Sequence, residues 1–222
     1  MAFNIKICGV TRVDDAIAAI DAGADAIGLN FYPASKRCVN VDVARRIVDA
    51  IGSRAEIVGV FVNESVDRIR TTCRDTGLQS IQLHGDEPPE FLRRLNMDHR
   101  VIRARRLDER GLPAIAEDLN ACSELSGRKP DAVLVDAAVA GQFGGTGLTV
   151  DWHMLANYPT QLGNVPLILA GGLTSENVAE AIRIVHPHAV DVASGVESTP
   201  GKKDPAKMRD FVGAARAAFA AL

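Results

Sequence analysis

Aromatic residues are scarce in this chain: one Trp, two Tyr and seven Phe among 222 residues. The net charge is −3, and like charges are not gathered into blocks. A face on which aromatics interleave with basic residues is therefore missing, which excludes the usual single-strand nucleic-acid platform. No apolar run approaches the roughly 20 residues of a membrane-spanning helix. The stretch Met1-Ala2-Phe3-Asn4-Ile5-Lys6 leads straight into a strand pattern and lacks the outline of a signal peptide. Cysteine is limited to Cys8, Cys38, Cys73 and Cys122, with no Cys-x-x-Cys pair. The even number is compatible with disulfides, but without a secretory signal the expectation is reduced thiols in a cytoplasm. No His-rich or carboxylate-rich cluster has metal-ligand spacing, so no metal is expected.

What is present is ordinary globular composition, 47% apolar and 24% charged, in a chain long enough for one large domain with a sizeable core. Short apolar runs alternate with amphipathic stretches from end to end. Strands are expected at Asn4–Cys8, Asp25–Asn30, Glu56–Val62, Ser80–Leu83, Arg100–Arg105, Ala132–Val135, Pro166–Ala170 and Ala189–Ala193. Thr11 with Asp14 has the spacing of a capping box, Asn40 suits the start of a second helix, and Gly23 the end of the first. Pro88 and Pro89 suit a fourth helix start. The fifth helix is expected near Leu112–Cys122, a short one over Val150–Asn157, a seventh opened by Gly171-Gly172, and the last over Pro205–Ala220. Eight such units at a spacing of roughly 20–35 residues fit an α/β fold, a closed (β/α)8 TIM barrel spanning 1–222 as a single domain. The competing doubly wound sheet lacks a Gly-x-Gly-x-x-Gly after its first strand.

In such a barrel the carboxyl ends of the strands share one face, where chemistry is placed. That face would hold Cys8, Asn30 with Arg37 in its loop, Asn63, His84, Arg103 or Arg105, Asp136, Gly171-Gly172 and Ser194-Gly195. The glycine turns after strands seven and eight, with Gly144-Gly145-Thr146-Gly147 after strand six, suit a phosphate cradled by backbone N–H groups. Cys8 is either a small buried hydrophobe or, with its pKa lowered, a general base. Asp136 is either a loop carboxylate or an acid kept protonated by desolvation. Arg37 is a solvated loop charge or a fork for a substrate carboxylate. His84 is a structural donor or a participant in the site. Strand alternation alone leaves open which way Lys6 points.

These stretches together resemble the phosphoribosylanthranilate isomerase family of tryptophan biosynthesis, over nearly the whole chain and in order. The resemblance is carried by Lys6-Ile-Cys-Gly-Val-Thr11, Gly23-Ala-Asp-Ala-Ile-Gly28, Ser35-Lys-Arg37, Gly59-Val-Phe-Val-Asn63 and Gln82-Leu-His-Gly-Asp-Glu87. It continues through Gly144-Gly-Thr-Gly147, Asp151-Trp152, Leu169-Ala-Gly-Gly-Leu173, Ser194-Gly-Val-Glu197 and Gly201-Lys-Lys-Asp204. It implies an Amadori rearrangement of N-(5-phosphoribosyl)anthranilate, with Cys8 as general base and Asp136 as general acid. It also implies Arg37 on the anthranilate carboxylate, and His84, Gly145, Gly171, Gly172, Ser194 and Gly195 in substrate or phosphate binding. No cofactor is implied, and a monomer or a homodimer is equally compatible. Three positions depart from the pattern: Cys38 where an aromatic is common, Val150 where Phe is frequent, and Ala193 where Ser is usual. Two competing readings stand beside it. One is the related phosphosugar isomerase of histidine biosynthesis, for which the resemblance would rest on two aspartates. The other is a barrel that binds a phosphorylated ligand without catalysis.

Overall fold

The computed structural model describes residues 3–95, 98–136 and 152–222. Eight parallel strands pair in chain order and close on themselves: β1 (Ile5–Cys8), β2 (Ala26–Asn30), β3 (Glu56–Phe61), β4 (Ser80–Leu83), β5 (Arg100–Arg106), β6 (Ala132–Asp136), β7 (Leu167–Ala170) and β8 (Ala189–Val192). Around them run α1 (Val13–Asp21), α2 (Val41–Ile51), α3 (Val66–Thr76), α4 (Phe91–Arg94), α5 (Leu112–Ser126), α6 (Tyr158–Leu162), α7 (Val178–Val185) and α8 (Pro205–Phe219). A small antiparallel hairpin, β9 (Glu197–Thr199) and β10 (Lys202–Lys203), stands between β8 and α8. Each expected strand is found to within a residue at either end.

Because side chains alternate along a strand, the barrel has two cores. Outward residues such as Ile5, Ile7, Ile27, Leu29, Val133 and Leu169 pack against Ile47, Ile69, Leu119, Ile182 and Phe211 of the helices. Each such fully buried chain contributes about 1.5–3 kcal/mol relative to exposure. Inward residues are smaller: Ala26, Val58, Ala104, Ala132, Leu134, Ile168 and Ala189, with Phe3 packed among them. Lys6, Gln82 and Asp191 occupy the same inward register on β1, β4 and β8, and all three are buried. The interior thus combines an apolar set with buried charged and polar groups.

Helix starts follow local chemistry only where a longer-range partner does not intervene. Asn40 caps α2 as expected, its Oδ1 accepting from the Val43 N–H at 2.8 Å. The capping box on Thr11 and Asp14 does not form. The first helix begins at Val13 behind Arg12, whose side chain caps nothing, and the Thr11 hydroxyl donates to the Gly201 carbonyl at 2.6 Å. That bond ties the loop after β1 to the hairpin after β8. Pro88-Pro89 precede a single turn, α4, and α5 runs on to Ser126 before Gly127 ends it at φ 70°. Gly171-Gly172 does not open α7, because the stretch 173–177 intervenes before Val178. The expected helix at Val150–Asn157 is a 3-10 turn over Trp152–Leu155 followed by α6, and Val150 lies outside the described residues.

The last helix has the strongest cap: Asp204 Oδ1 accepts from the N–H groups of Ala206 and Lys207, at 2.9 and 3.2 Å, ahead of Pro205 at the first position. Asp204→Ala is expected to cost about 1 kcal/mol. Urea unfolding should show a lower midpoint at unchanged slope; an unchanged midpoint would mean the cap adds nothing.

Candidate active site

The site starts with a glycine. A side chain at Gly28 on β2 would place its Cβ 2.7 Å from the Cys8 sulfur and 3.2 Å from Lys6 Nζ. Leaving that volume empty lets both inward side chains of β1 converge on one point. Lys6, fully buried, donates to Asp191 Oδ1 at 2.8 Å and to Gln82 Oε1 at 2.9 Å. Gln82 in turn meets His84 Nδ1 at 2.6 Å through its amide nitrogen. With the amide oxygen turned to an ammonium, its nitrogen must donate, so His84 Nδ1 accepts and the imidazole proton is assigned to Nε2. Burial lowers the His84 pKa, against an opposing pull from Asp136, so the ring is neutral. Asp191, Lys6, Gln82 and His84 form one polar chain across the barrel beneath Cys8.

This setting acts on the thiol in both directions. Burial raises the Cys8 pKa and Asp191 adds to it, while Lys6 and Lys203 pull it down; the outcome lies above the ordinary thiol value. Lys6 also ends above its ordinary value, because Asp191 and Cys8 together outweigh the burial that would lower it. The lowered pKa that a ready-made thiolate base would need is therefore not found: the free thiol is protonated at neutrality, and two lysines limit the cost of ionising it.

Arg37 reaches the same rim from the loop after β2. Gly9, at φ 73°, turns the chain immediately after Cys8, and the Arg37 methylene stem fills the space a Cβ there would need. The guanidinium is held by Glu197 through two bonds of 2.7 Å, from Nε to Oε1 and from Nη2 to Oε2. Lys203 Nζ reaches Glu197 Oε1 at 3.1 Å and the Ala193 carbonyl at 2.9 Å. The Arg37 side chain remains 27% exposed, whereas Glu197 is 5% and Lys203 0% exposed.

Asp136 ends β6 in the inward register of Ala132 and Leu134. Around the closed barrel it stands three strands from Cys8 by way of β7 and β8, and it acts on His84 from across β5. Gly171 and Gly172 turn the chain after β7 at φ 94° and 64°. Ser194 and Gly195 open a 3-10 turn after β8, where a Cβ on Gly195 would overlap the Leu173 carbonyl oxygen. The two glycine turns are in contact, as a shared anion cradle requires. Gly145 lies outside the described residues.

Three other candidates are not part of this mouth. Arg103 and Arg105 face outward from β5 and bind Asp118 of α5, at 2.6 Å and 3.0 Å. Asn63, at φ 50°, accepts from the Asp86 N–H, while Glu87 takes the N–H groups of Asn63 and Gly85. That set ties the loops after β3 and β4 together. At the opposite end of the barrel a cavity of about 780 Å³ is lined by Asp25, Glu56, Arg100 and Arg216 among others. Its charges are paired, Arg216 to Asp25 at 2.7 Å and Arg100 to Glu56 at 3.3 Å, and it contains neither thiol nor imidazole. Proton-transfer chemistry therefore belongs at the carboxyl end.

The sequence alone does not single out Lys6, Gln82, Asp191, Glu197 and Lys203 as site residues. Parity was the available signal for the first: if Cys8 points inward, so does Lys6 two positions earlier. Gly28→Ala is expected to force the Cys8 sulfur aside, at an overpacking cost of about 1–3 kcal/mol. The rate at which iodoacetamide labels Cys8, followed on its own peptide, should change while that of exposed Cys38 does not. Equal labelling of Cys8 in both proteins would show that Gly28 does not shape the site.

The family model for N-(5'-phosphoribosyl)anthranilate isomerase matches residues 5–214. The N-(5'-phosphoribosyl)anthranilate isomerase of Myxococcus xanthus is 43% identical over 216 residues, covering 97% of each chain. The crystal structure of phosphoribosyl anthranilate isomerase from Thermotoga maritima superposes at a TM-score of 0.85 with 38% identity, over 97% of this chain and 99% of that one. A further phosphoribosyl anthranilate isomerase structure, in complex with reduced 1-(o-carboxyphenylamino)-1-deoxyribulose 5-phosphate, matches at a TM-score of 0.81 with 36% identity and the same coverage. A buried thiol facing a carboxylate across the mouth of a barrel, with paired glycine turns between them, thus occurs in a chain that belongs to the N-(5'-phosphoribosyl)anthranilate isomerase family.

Proposed function

We propose that this protein converts N-(5-phosphoribosyl)anthranilate to 1-(2-carboxyphenylamino)-1-deoxyribulose 5-phosphate, with Asp136 as general acid and Cys8 as general base. The observation that carries this reading is the placement of those two groups at the inward ends of β6 and β1, three strands apart around the closed barrel. The family membership and the product analogue bound by a solved relative support the substrate.

Asp136 gives its proton to the furanose ring oxygen as the bond from that oxygen to C1 breaks, leaving a C1=N iminium. The Cys8 thiolate takes the proton from C2; the C2–H electron pair forms C1=C2 and the C1=N π pair moves onto nitrogen, giving an enolamine. Tautomerisation protonates C1 and leaves a ketone at C2. C1 is reduced as C2 is oxidised, so no external hydride acceptor is consumed. Arg37 presents the free part of its guanidinium to the anthranilate carboxylate. The turns at Gly171-Gly172 and Ser194-Gly195, with Gly145, receive the phosphate through backbone N–H groups. Neutral His84 offers its Nε2–H to the substrate. Fixing both ends of the molecule turns the chemistry into positioned proton transfers. The reading includes a cytoplasmic location, where free thiols stay reduced. Among the described residues no helix is long and apolar enough to cross a membrane.

Turnover is followed by the loss of anthranilate-type fluorescence. Cys8→Ala is expected to lower kcat by about 100- to 10,000-fold, the usual range for removing a general base. Asp136→Asn should do likewise while a product analogue still binds; an equal loss of analogue affinity would make Asp136 a binding group instead. No turnover by the wild type, with turnover of the corresponding histidine-pathway substrate, would overturn the assignment. Since the base must be ionised and its pKa lies above the ordinary thiol value of about 8.5, the residual kcat/KM of Asp136→Asn, in which the acid no longer titrates, should still be rising with pH through that value. A residual profile flat from neutrality upward would remove Cys8 as the base.

A further inference from the structure

We propose that Glu197 and Lys203, on the hairpin between β8 and α8, are positioning residues that fix Arg37 at the mouth and thereby set selectivity for a substrate bearing an aryl carboxylate. This rests on the reading of Arg37 as the carboxylate-binding group.

A guanidinium has two edges on which a carboxylate can dock in parallel. In Arg37 the Nε–Nη2 edge is fully taken by Glu197, with both bonds at 2.7 Å. The Nη1 end is free of that contact, and the side chain keeps 27% of its exposure. The docked edge thus sets the plane of the fork, and the other end is left for an incoming anion.

Glu197 is itself held in place. Its Oε1 accepts from Lys203 Nζ at 3.1 Å and from the Gly201 N–H at 3.3 Å in addition to Arg37. A buried ammonium needs partners, and Lys203 has one more, the Ala193 carbonyl at 2.9 Å. Ala193 immediately precedes the Ser194-Gly195 turn. One short hairpin therefore connects the arginine for one end of the substrate with the turn for the other, and the separation of the two is fixed by two buried side chains. The hydrogen-bonded side chains Arg37, Glu197 and Lys203 carry one positive charge in excess. A carboxylate on the open end of Arg37 balances it; a substrate without one leaves it uncompensated. A site built around a polar group discriminates strongly against analogues that lack that group.

The test compares N-(5-phosphoribosyl)anthranilate with N-(5-phosphoribosyl)aniline, which lacks the carboxylate, in wild type, Glu197→Gln, Arg37→Ala and the double variant. Glu197→Gln preserves volume and removes the charge. It is expected to raise KM for the anthranilate substrate about tenfold or more, with kcat within about threefold, the pattern of lost uniform binding. For the aniline substrate kcat/KM should stay within about twofold. Adding Glu197→Gln to Arg37→Ala should change nothing further. Lys203→Gln, which leaves the Arg37 contact but removes the tether on Glu197, should lower kcat for both substrates alike, because a cation near Cys8 is lost, and raise KM for the anthranilate substrate alone; that difference in KM decides the matter if Glu197→Gln does not fold. Equal loss with both substrates would make Glu197 a structural brace only, and an unchanged KM would remove it altogether. A wild type that turns over neither substrate contradicts the proposed reaction. A wild type that turns over both equally well contradicts the role of Arg37, and the present inference falls with it.

Discussion

A lysine ammonium buried in the middle of a β-barrel is the constraint around which the rest of this structure is arranged. Lys6 has no access to water, and an isolated charge there would cost far more than a domain can spare. Asp191 and Gln82 supply its partners from two other strands, at 2.8 and 2.9 Å. Those partners sit in register only because eight strands close in chain order, so the charge pair and the closed barrel require one another. Removing one member would leave the other charged, dry and unpaired. The same triad presents a positive charge to Cys8 from below, and the Gln82 amide passes the orientation on to His84.

Around that centre, small features do specific work. Gly28 withholds a side chain where sulfur and ammonium meet, Gly9 makes room for the stem of Arg37, and Gly195 lets two turns touch. Thr11 gives up a local cap to bind Gly201, which draws the β1 loop to the hairpin that carries Glu197 and Lys203. The mouth thus has the loops after β1, β2 and β7 tied to the segment after β8 by contacts between residues distant in sequence. It holds a thiol whose proton affinity is raised by burial and by Asp191, and restrained by Lys6 and Lys203. In the proposed reaction the thiolate forms beside those cations.

The strands were legible in the sequence because each is a short apolar run ending at a polar or small residue, and parity along it is unambiguous once one face is known. Cys8, Asp136 and the two glycine turns could be placed at strand ends for that reason. What escaped was everything decided between elements. Arg103 and Arg105 end up outside because Ile102 and Ala104 take the inward register of β5. The partnership of Arg37 with Glu197 spans 160 residues, and no local pattern announces it. The direction of the Cys8 shift depends on burial and on Asp191, neither of which a Lys-Ile-Cys-Gly stretch reveals. The Gly171-Gly172 turn leads toward a helix without opening it, because Asn177 folds back, donating to the Gly172 carbonyl and accepting from the Thr174 N–H.

The central claim is that burial and the buried charge pair together set the proton affinity of Cys8. It is tested most directly by the pH dependence of alkylation at Cys8, read on its own peptide, in wild type and in Asp191→Asn. Removing the carboxylate charge removes one of the two influences that raise the Cys8 pKa and leaves the Lys6 ammonium facing the sulfur. The account predicts a wild-type midpoint above the ordinary thiol range of about 8.5 and a clearly lower midpoint in the folded variant. Coincident midpoints would contradict it.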